Sequence, residues 1–209
     1  MTTNVFPVDS RKVNALLTIS AAEARRLTPA TISVSWPGFT ADDVRRYLAA
    51  AFRLSHTVNR RLGELNTSSH PEVVWDAFGS PELTWFGSFS DRKLQKVCRT
   101  FLGIERHLTS PGLKVICTNA KGYSGFTIPF IETIRLGTWW QSPGQGVNDD
   151  SYRILTLVHE ASHVCGRFSF EHYGFELAHG LAQWPMRATR NADNYAFYAM
   201  HVLDRERVA

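Results

Sequence analysis

Residues 151–163, SerTyrArgIleLeuThrLeuValHisGluAlaSerHis, limit the possible folds more than any other stretch of the chain. Ile154, Leu155, Leu157 and Val158 point in several directions around a helix, so a helix here has to be covered on more than one side. Asp149 or Asp150 is placed to cap it. His159, Glu160 and His163 ride in the same apolar helix, and burying an unpartnered carboxylate or imidazole is costly. Whatever fold forms must bring partners to these three side chains.

The spacing suggests what one partner is. Residues four apart on a helix lie about 40° apart around its axis, so the imidazoles of His159 and His163 can meet one tetrahedral ion. Glu160, next in the turn, can reach a metal-bound water without taking a coordination position. A zinc ion lowers the pKa of such a water towards 7, and the carboxylate takes its proton as the water attacks a carbonyl. The alternative is a helix whose histidines are packed or capped and bind nothing.

Two histidines need a third protein ligand to hold the ion. Gly166 can end the helix and turn the chain back over the site. The candidates that follow are Glu171 and His172, then His179, Asp193 and Glu206. The metzincin pattern, with a histidine or aspartate six residues after the second histidine, is excluded because that position is Ser169. Cys165 is read as a small buried hydrophobe, with a fourth ligand as the alternative.

The rest of the chain supplies a frame for this helix. Thr40 can cap a long amphipathic helix over 43–65, with Val44, Leu48, Ala51, Leu54, Val58, Leu62 and Leu65 three or four apart. Its charges between Arg45 and Arg61 form the solvated side. Ser90 and Asp91 open a second helix, 91–108, carrying Leu94, Val97, Phe101, Ile104 and Leu108 on one face. Extended pieces are expected at 31–36, 113–117 and 126–137, and a short helical patch at 21–27. Trp139 and Trp140 either pack in the core or rim a cleft with the loop 141–150. The expected architecture is α+β, mainly helical, with a small β-sheet: a domain over 41–209 preceded by a loosely attached segment, 1–40.

Composition closes off other classes. A chain of 209 residues with 44% hydrophobic and 20% charged content is neither disordered nor a disulfide miniprotein. No run approaches the roughly 18 apolar residues of a membrane span. The N-terminus lacks the pattern of a signal peptide, and three cysteines are expected as free thiols. A net charge of +4 without a basic run gives no reason to expect nucleic acid as a partner.

Several motifs together resemble the aspzincins, the family of deuterolysin and peptidyl-Lys metalloendopeptidase. They are TrpPheGly at 85–87, IleCys at 116–117, IleArgLeuGlyThrTrpTrp at 134–140 and ThrLeuValHisGluAlaSerHis at 156–163. TyrGly at 173–174, LeuAla at 181–182, Pro185, Ala188 and AsnAlaAspAsnTyrAlaPheTyrAla at 191–199 follow. The likeness spans roughly 45–205. It implies a zincin-like fold with an HExxH active-site helix and one zinc per chain, His159 and His163 as ligands and Glu160 as general base. Tyr173 matches the tyrosine that stabilises the tetrahedral intermediate in that family. The family's third ligand is the aspartate of a GlyThr-x-Asp-x-x-TyrGly motif; here that position is Phe170, and the GlyThr is absent. Glu171, one residue on and one methylene longer, is the first choice to replace it, with His172 as the alternative. In lysine-cutting members an aspartate matching Asp193 and a glutamate three residues later line the substrate pocket. Asp193 is kept, but the glutamate position is Ala196. An Asp193 that only satisfies backbone donors at a helix start is the simpler alternative.

The resulting expectation is a zinc-dependent metalloendopeptidase acting on a protein or peptide. Without a signal peptide or the disulfides of secreted fungal relatives, a bacterial version is expected; such domains resemble toxin or effector modules, cytoplasmic as made and then secreted or injected by another route, with an immunity or delivery protein as partner. The alternative from a different class is a catalytically impaired zincin-fold binding module acting through a protein partner.

Overall fold

The computed structural model describes residues 8–127, 131–143, 148–165 and 173–206. Four helices form its centre: α3 (Ala41–Thr67), α6 (Asp91–Leu108), α8 (Asp149–Cys165) and α11 (Ala192–Arg205). Shorter helices surround them: α1 (Ser10–Leu17), α2 (Ala21–Leu27), α4 (Pro71–Trp75), α5 (Pro81–Phe86), α7 (Thr138–Gln141), α9 (Phe175–Gly180) and α10 (Pro185–Ala188). The sheet consists of β1 (Thr31–Val34), β2 (Lys114–Cys117), β3 (Gly125–Thr127) and β4 (Thr133–Leu136), in the order β1-β2-β4-β3. β1, β2 and β4 run parallel, while β3 returns antiparallel along β4 as an edge.

The two amphipathic helices follow their sequence patterns closely. Thr40 and Asp43 form a reciprocal capping box at the start of α3, with the Thr40 hydroxyl accepting from the Asp43 amide at 3.1 Å. The stripe from Val44 to Leu65 is buried and packs on α6 and α8. Ser90 caps α6 by accepting from the Lys93 amide. α8 has α3, α6 and α11 around it and β3 across another side, as its mostly apolar surface requires.

Two expectations need correction. Asn148 receives the amides of Asp150 and Ser151 on its side-chain oxygen, both at 3.1 Å, so it caps α8 in place of Asp149 or Asp150. Those two aspartates sit in the first turn and face Arg153 instead. The segment before residue 41 is also not loosely attached over its described part, 8–40. α1 buries Val13 and Leu16, β1 adds a parallel strand to β2, and Trp36 stacks on Trp140 with ring centroids 5.7 Å apart. The Trp36 indole donates to the Thr118 carbonyl at 2.8 Å. Trp140 lies in this core, whereas Trp139 is exposed.

Candidate metal centre

The C-terminal half of α8 brings His159, Glu160 and His163 together with little exposure to solvent. The two histidines project from one face, and their Nε2 atoms stand 3.0 Å apart. The other ring nitrogen of His159, Nδ1, lies 2.5 Å from Oδ1 of Asp193 in the first turn of α11. The second oxygen of Asp193 accepts the Gly174 amide at 2.6 Å. Gly174 has φ near +95°, a conformation that favours glycine. Beside it the Tyr173 ring stacks on His159, with centroids 6.0 Å apart and planes 21° from parallel. Tyr173 is largely exposed, so this ring reaches the mouth of the site.

A buried polar knot fixes Asp193 in place. The Asn191 amide donates to Asn194 at 2.7 Å, and Asn194 donates to the carbonyls of Trp85 and Ala178 at 2.7 and 2.9 Å. The Tyr195 hydroxyl donates to the Thr189 carbonyl at 3.1 Å. The AsnAlaAspAsnTyr motif thus ties the start of α11 to α5 and α9, and Asp193 projects from that anchored turn towards α8. Every one of these groups is buried and hydrogen-bonded, which the low-dielectric interior requires.

Glu160 lies under the edge strand. A Cβ on Gly125 of β3 would stand 2.5 Å from its Oε1 and 2.6 Å from its Cγ, so only glycine leaves room for the carboxylate there. Tyr152, two turns earlier on α8, is hydrogen-bonded to Ser124 and sits within electrostatic reach of Asp193 and Glu160. Burial, above all, pushes the Tyr152 phenol up, and the two carboxylates add to this. Burial and the neighbouring His159 push the His163 imidazole down to about 4, so it is neutral at ordinary pH. A neutral imidazole is the form that ligates a metal.

The donor set fits a zinc ion. Two nitrogens about 2.0–2.1 Å from a tetrahedral zinc stand about 3.3 Å apart, close to the 3.0 Å between these Nε2 atoms. A carboxylate on the far ring nitrogen is the usual support for a metal-bound histidine. Among the described residues no group of three or more histidine, cysteine or acidic side chains forms a complete set of ligands. Glu171 and His172, the candidates for the third position, lie outside the described residues, as do Phe170 and Ser169.

The remaining candidates go elsewhere. His179 packs on Trp85 and Phe175, and Glu206 pairs with Arg60 at 3.0 Å. Cys165 donates to the Ala161 carbonyl and abuts Gly103, and burial pushes its thiol up to about 12. Sequence reasoning missed Gly125 and Tyr152. Gly125 opens β3, one residue before the extended piece read from the sequence, so its close approach to Glu160 had no local sign.

A buried helix with two convergent histidines and a neighbouring glutamate, flanked by a small sheet with an antiparallel edge, defines a zincin-like architecture. A family model described as lysine-specific metallo-endopeptidase, that of the aspzincins, matches residues 82–200, and the chain belongs to this family. Peptidyl-Lys metalloendopeptidase from Armillaria mellea is 31% identical over 123 residues, which are 56% of this chain and 34% of that protein. The chain therefore spans about a third of the length of that relative. A zinc peptidase from Grifola frondosa has a similar fold, with a TM-score of 0.57 and 24% identity over 78% of this chain and 96% of the other.

Proposed function

We propose that the chain is a single-zinc endopeptidase. The observation that carries this reading is the 3.0 Å approach of the His159 and His163 Nε2 atoms beside a buried glutamate, in a member of a metallopeptidase family. His159 and His163 would hold the ion together with Glu171, or with His172. The ion, when bound, supplies a Lewis acid that acidifies water and polarises a peptide carbonyl. Glu160, kept in position by the clearance at Gly125, accepts the proton of the attacking water and passes it to the leaving amine. Tyr173, at the mouth and against His159, donates from its hydroxyl to the oxygen that gains charge during attack. The substrate is a protein or peptide. The toxin or effector role, and an immunity or delivery protein as partner, rest on fold-level analogy.

Glu160→Gln tests the reading, with hydrolysis of an unfolded protein substrate and zinc content measured on the same preparation. The expected result is loss of at least a hundredfold in rate with zinc and thermal stability retained. A wild type that binds zinc yet cleaves nothing, like its Gln variant, would instead support a scaffold that holds a protein partner.

A further inference from the structure

At the start of α6 the surface holds a small recess of about 160 Å³ that no step of the proposed reaction uses. Arg92, Lys93 and Lys96 line it from the first turns of α6, and Arg190 lines it from the turn that leads into α11. Ser90 and Thr189 add hydroxyl groups, and among the described residues no carboxylate borders it. Among the described residues, too, none of the four cations makes an ion pair. Asp91, in the same turn of α6, is exposed and outside the lining. Asp76, a carboxylate within electrostatic reach of Lys93, accepts the Phe89 amide at 2.8 Å. We propose that this recess is a binding site for a phosphate group, taken as the free ion or as a monoester. The proposal goes beyond the zinc-site reading and does not depend on it.

Like charges gathered in one place repel each other, and partial burial strengthens the repulsion. Lys96 bears most of it: burial above all, and then Arg190 and Arg92, push its ammonium down to about 8. Its Nζ donates to the Thr189 hydroxyl, a neutral oxygen, at 3.3 Å. Lys93 donates to the Phe86 carbonyl at 3.4 Å, and burial pushes its ammonium down as well. An anion between these groups supplies the countercharge that neutral oxygens do not. The cations reach the recess from two segments of the chain, which suits a tetrahedral oxyanion with acceptors facing several ways. A flat carboxylate is satisfied by one guanidinium alone. The first backbone amides of α6 have no intrahelical acceptors and add positive potential at the same end. The far wall is set in advance, since the Tyr195 hydroxyl donates to the Thr189 carbonyl at 3.1 Å. A bound anion therefore ties α6 to the turn before α11 and stabilises the folded chain.

Calorimetric titration tests the site, with inorganic phosphate in one arm and phosphoserine in the other, at an ionic strength held constant with sodium chloride. The wild type is compared with Lys96→Gln, Arg190→Gln and Arg92→Gln, and with Arg99→Gln, which removes the same charge from an exposed position of α6 outside the recess. The expected result is saturable binding of one phosphate per wild-type chain, with an unfolding midpoint that rises as phosphate is added. Binding should weaken by about tenfold or more in Lys96→Gln and in Arg190→Gln and stay unchanged in Arg99→Gln. Phosphoserine bound as tightly as phosphate would identify a monoester as the ligand, and phosphate bound alone would identify the free ion. Absence of saturable binding in both arms would overturn the proposal. Equal weakening in all four variants would overturn it too, because the attraction would then be diffuse. So would full binding in Lys96→Gln and Arg190→Gln, which would place the anion elsewhere, the metal position included. Should either of those two variants fail to fold, Arg92→Gln, at an exposed position, decides the matter in the same way.

Discussion

Two buried polar clusters draw on the same helix, α11, and are built on opposite logics. Around Tyr198, Glu82 is fully buried and receives Arg61 in a two-pronged contact at 2.7 and 2.9 Å, and the Tyr198 hydroxyl at 2.8 Å. Donors and acceptors match: the guanidinium beside Glu82 is held charged, and burial keeps the Tyr198 phenol neutral. Around Asp193, the carboxylate instead orients an imidazole whose other nitrogen converges on a second imidazole. An arrangement that aims two ring nitrogens at one point is one that a bound cation stabilises. Burial and polarity alone therefore do not mark a functional site. What marks it is the direction in which the lone pairs point.

The largest effect is expected at the matched cluster. Glu82→Ala leaves Arg61 and Tyr198 without their acceptor, and removing one partner of a buried ion pair costs about 3–5 kcal/mol. Thermal or denaturant unfolding should show that loss, while zinc binding by the molecules that remain folded should be unchanged. Loss of zinc affinity in folded Glu82→Ala would mean that the two clusters are coupled through α11.

A subtler change sharpens the other cluster. In Gly125→Ala the added methyl meets the Glu160 carboxylate at 2.5 Å and forces it to move. A displacement of about 1 Å of a reacting group can cost about a hundredfold in rate. Turnover should fall by about that factor with zinc content unaffected; wild-type turnover in the variant would show that Glu160 needs no such clearance.

The smallest effect is in the acid range. His201 accepts the Trp85 indole N–H at 3.2 Å, and burial, with help from Arg205, pushes its imidazole down to about 4. The folded protein thus prefers the neutral ring. Stability from this group is complete above the ordinary histidine pKa of about 6.5 and is lost as pH falls from there towards 4. In His201→Gln, which keeps an acceptor for the indole, that part of the acid limb of the stability curve should flatten. An unchanged limb would assign the acid sensitivity to other groups, among them His107, whose imidazole burial also pushes down.

The frame was legible because its signals are local. The stripe from Val44 to Leu65 and the caps Thr40 and Ser90 set α3 and α6 to within two residues of the bounds read from sequence. The HExxH spacing by itself puts His159 and His163 on one face of a buried helix. Two features were hidden for a physical reason: they depend on contacts between distant segments. β1 joins β2 across some eighty residues, so the first part of the chain had no local sign of being anchored. The double engagement of Asp193 depends on α8, α11 and the Gly174 turn meeting at one place. The cap of α8 was missed by one residue because Asn148, Asp149 and Asp150 are all good caps, and only backbone geometry chooses among them.

Metal content per chain decides whether the Asp193 cluster is a zinc site and the Glu82 cluster is not. The protein is purified without a histidine tag, as wild type and as His163→Ala, and zinc is counted by elemental analysis. About one zinc is expected per wild-type chain, and almost none in folded His163→Ala. A folded wild type that holds no zinc after incubation with the metal, or a His163→Ala variant that retains the full amount, would contradict it.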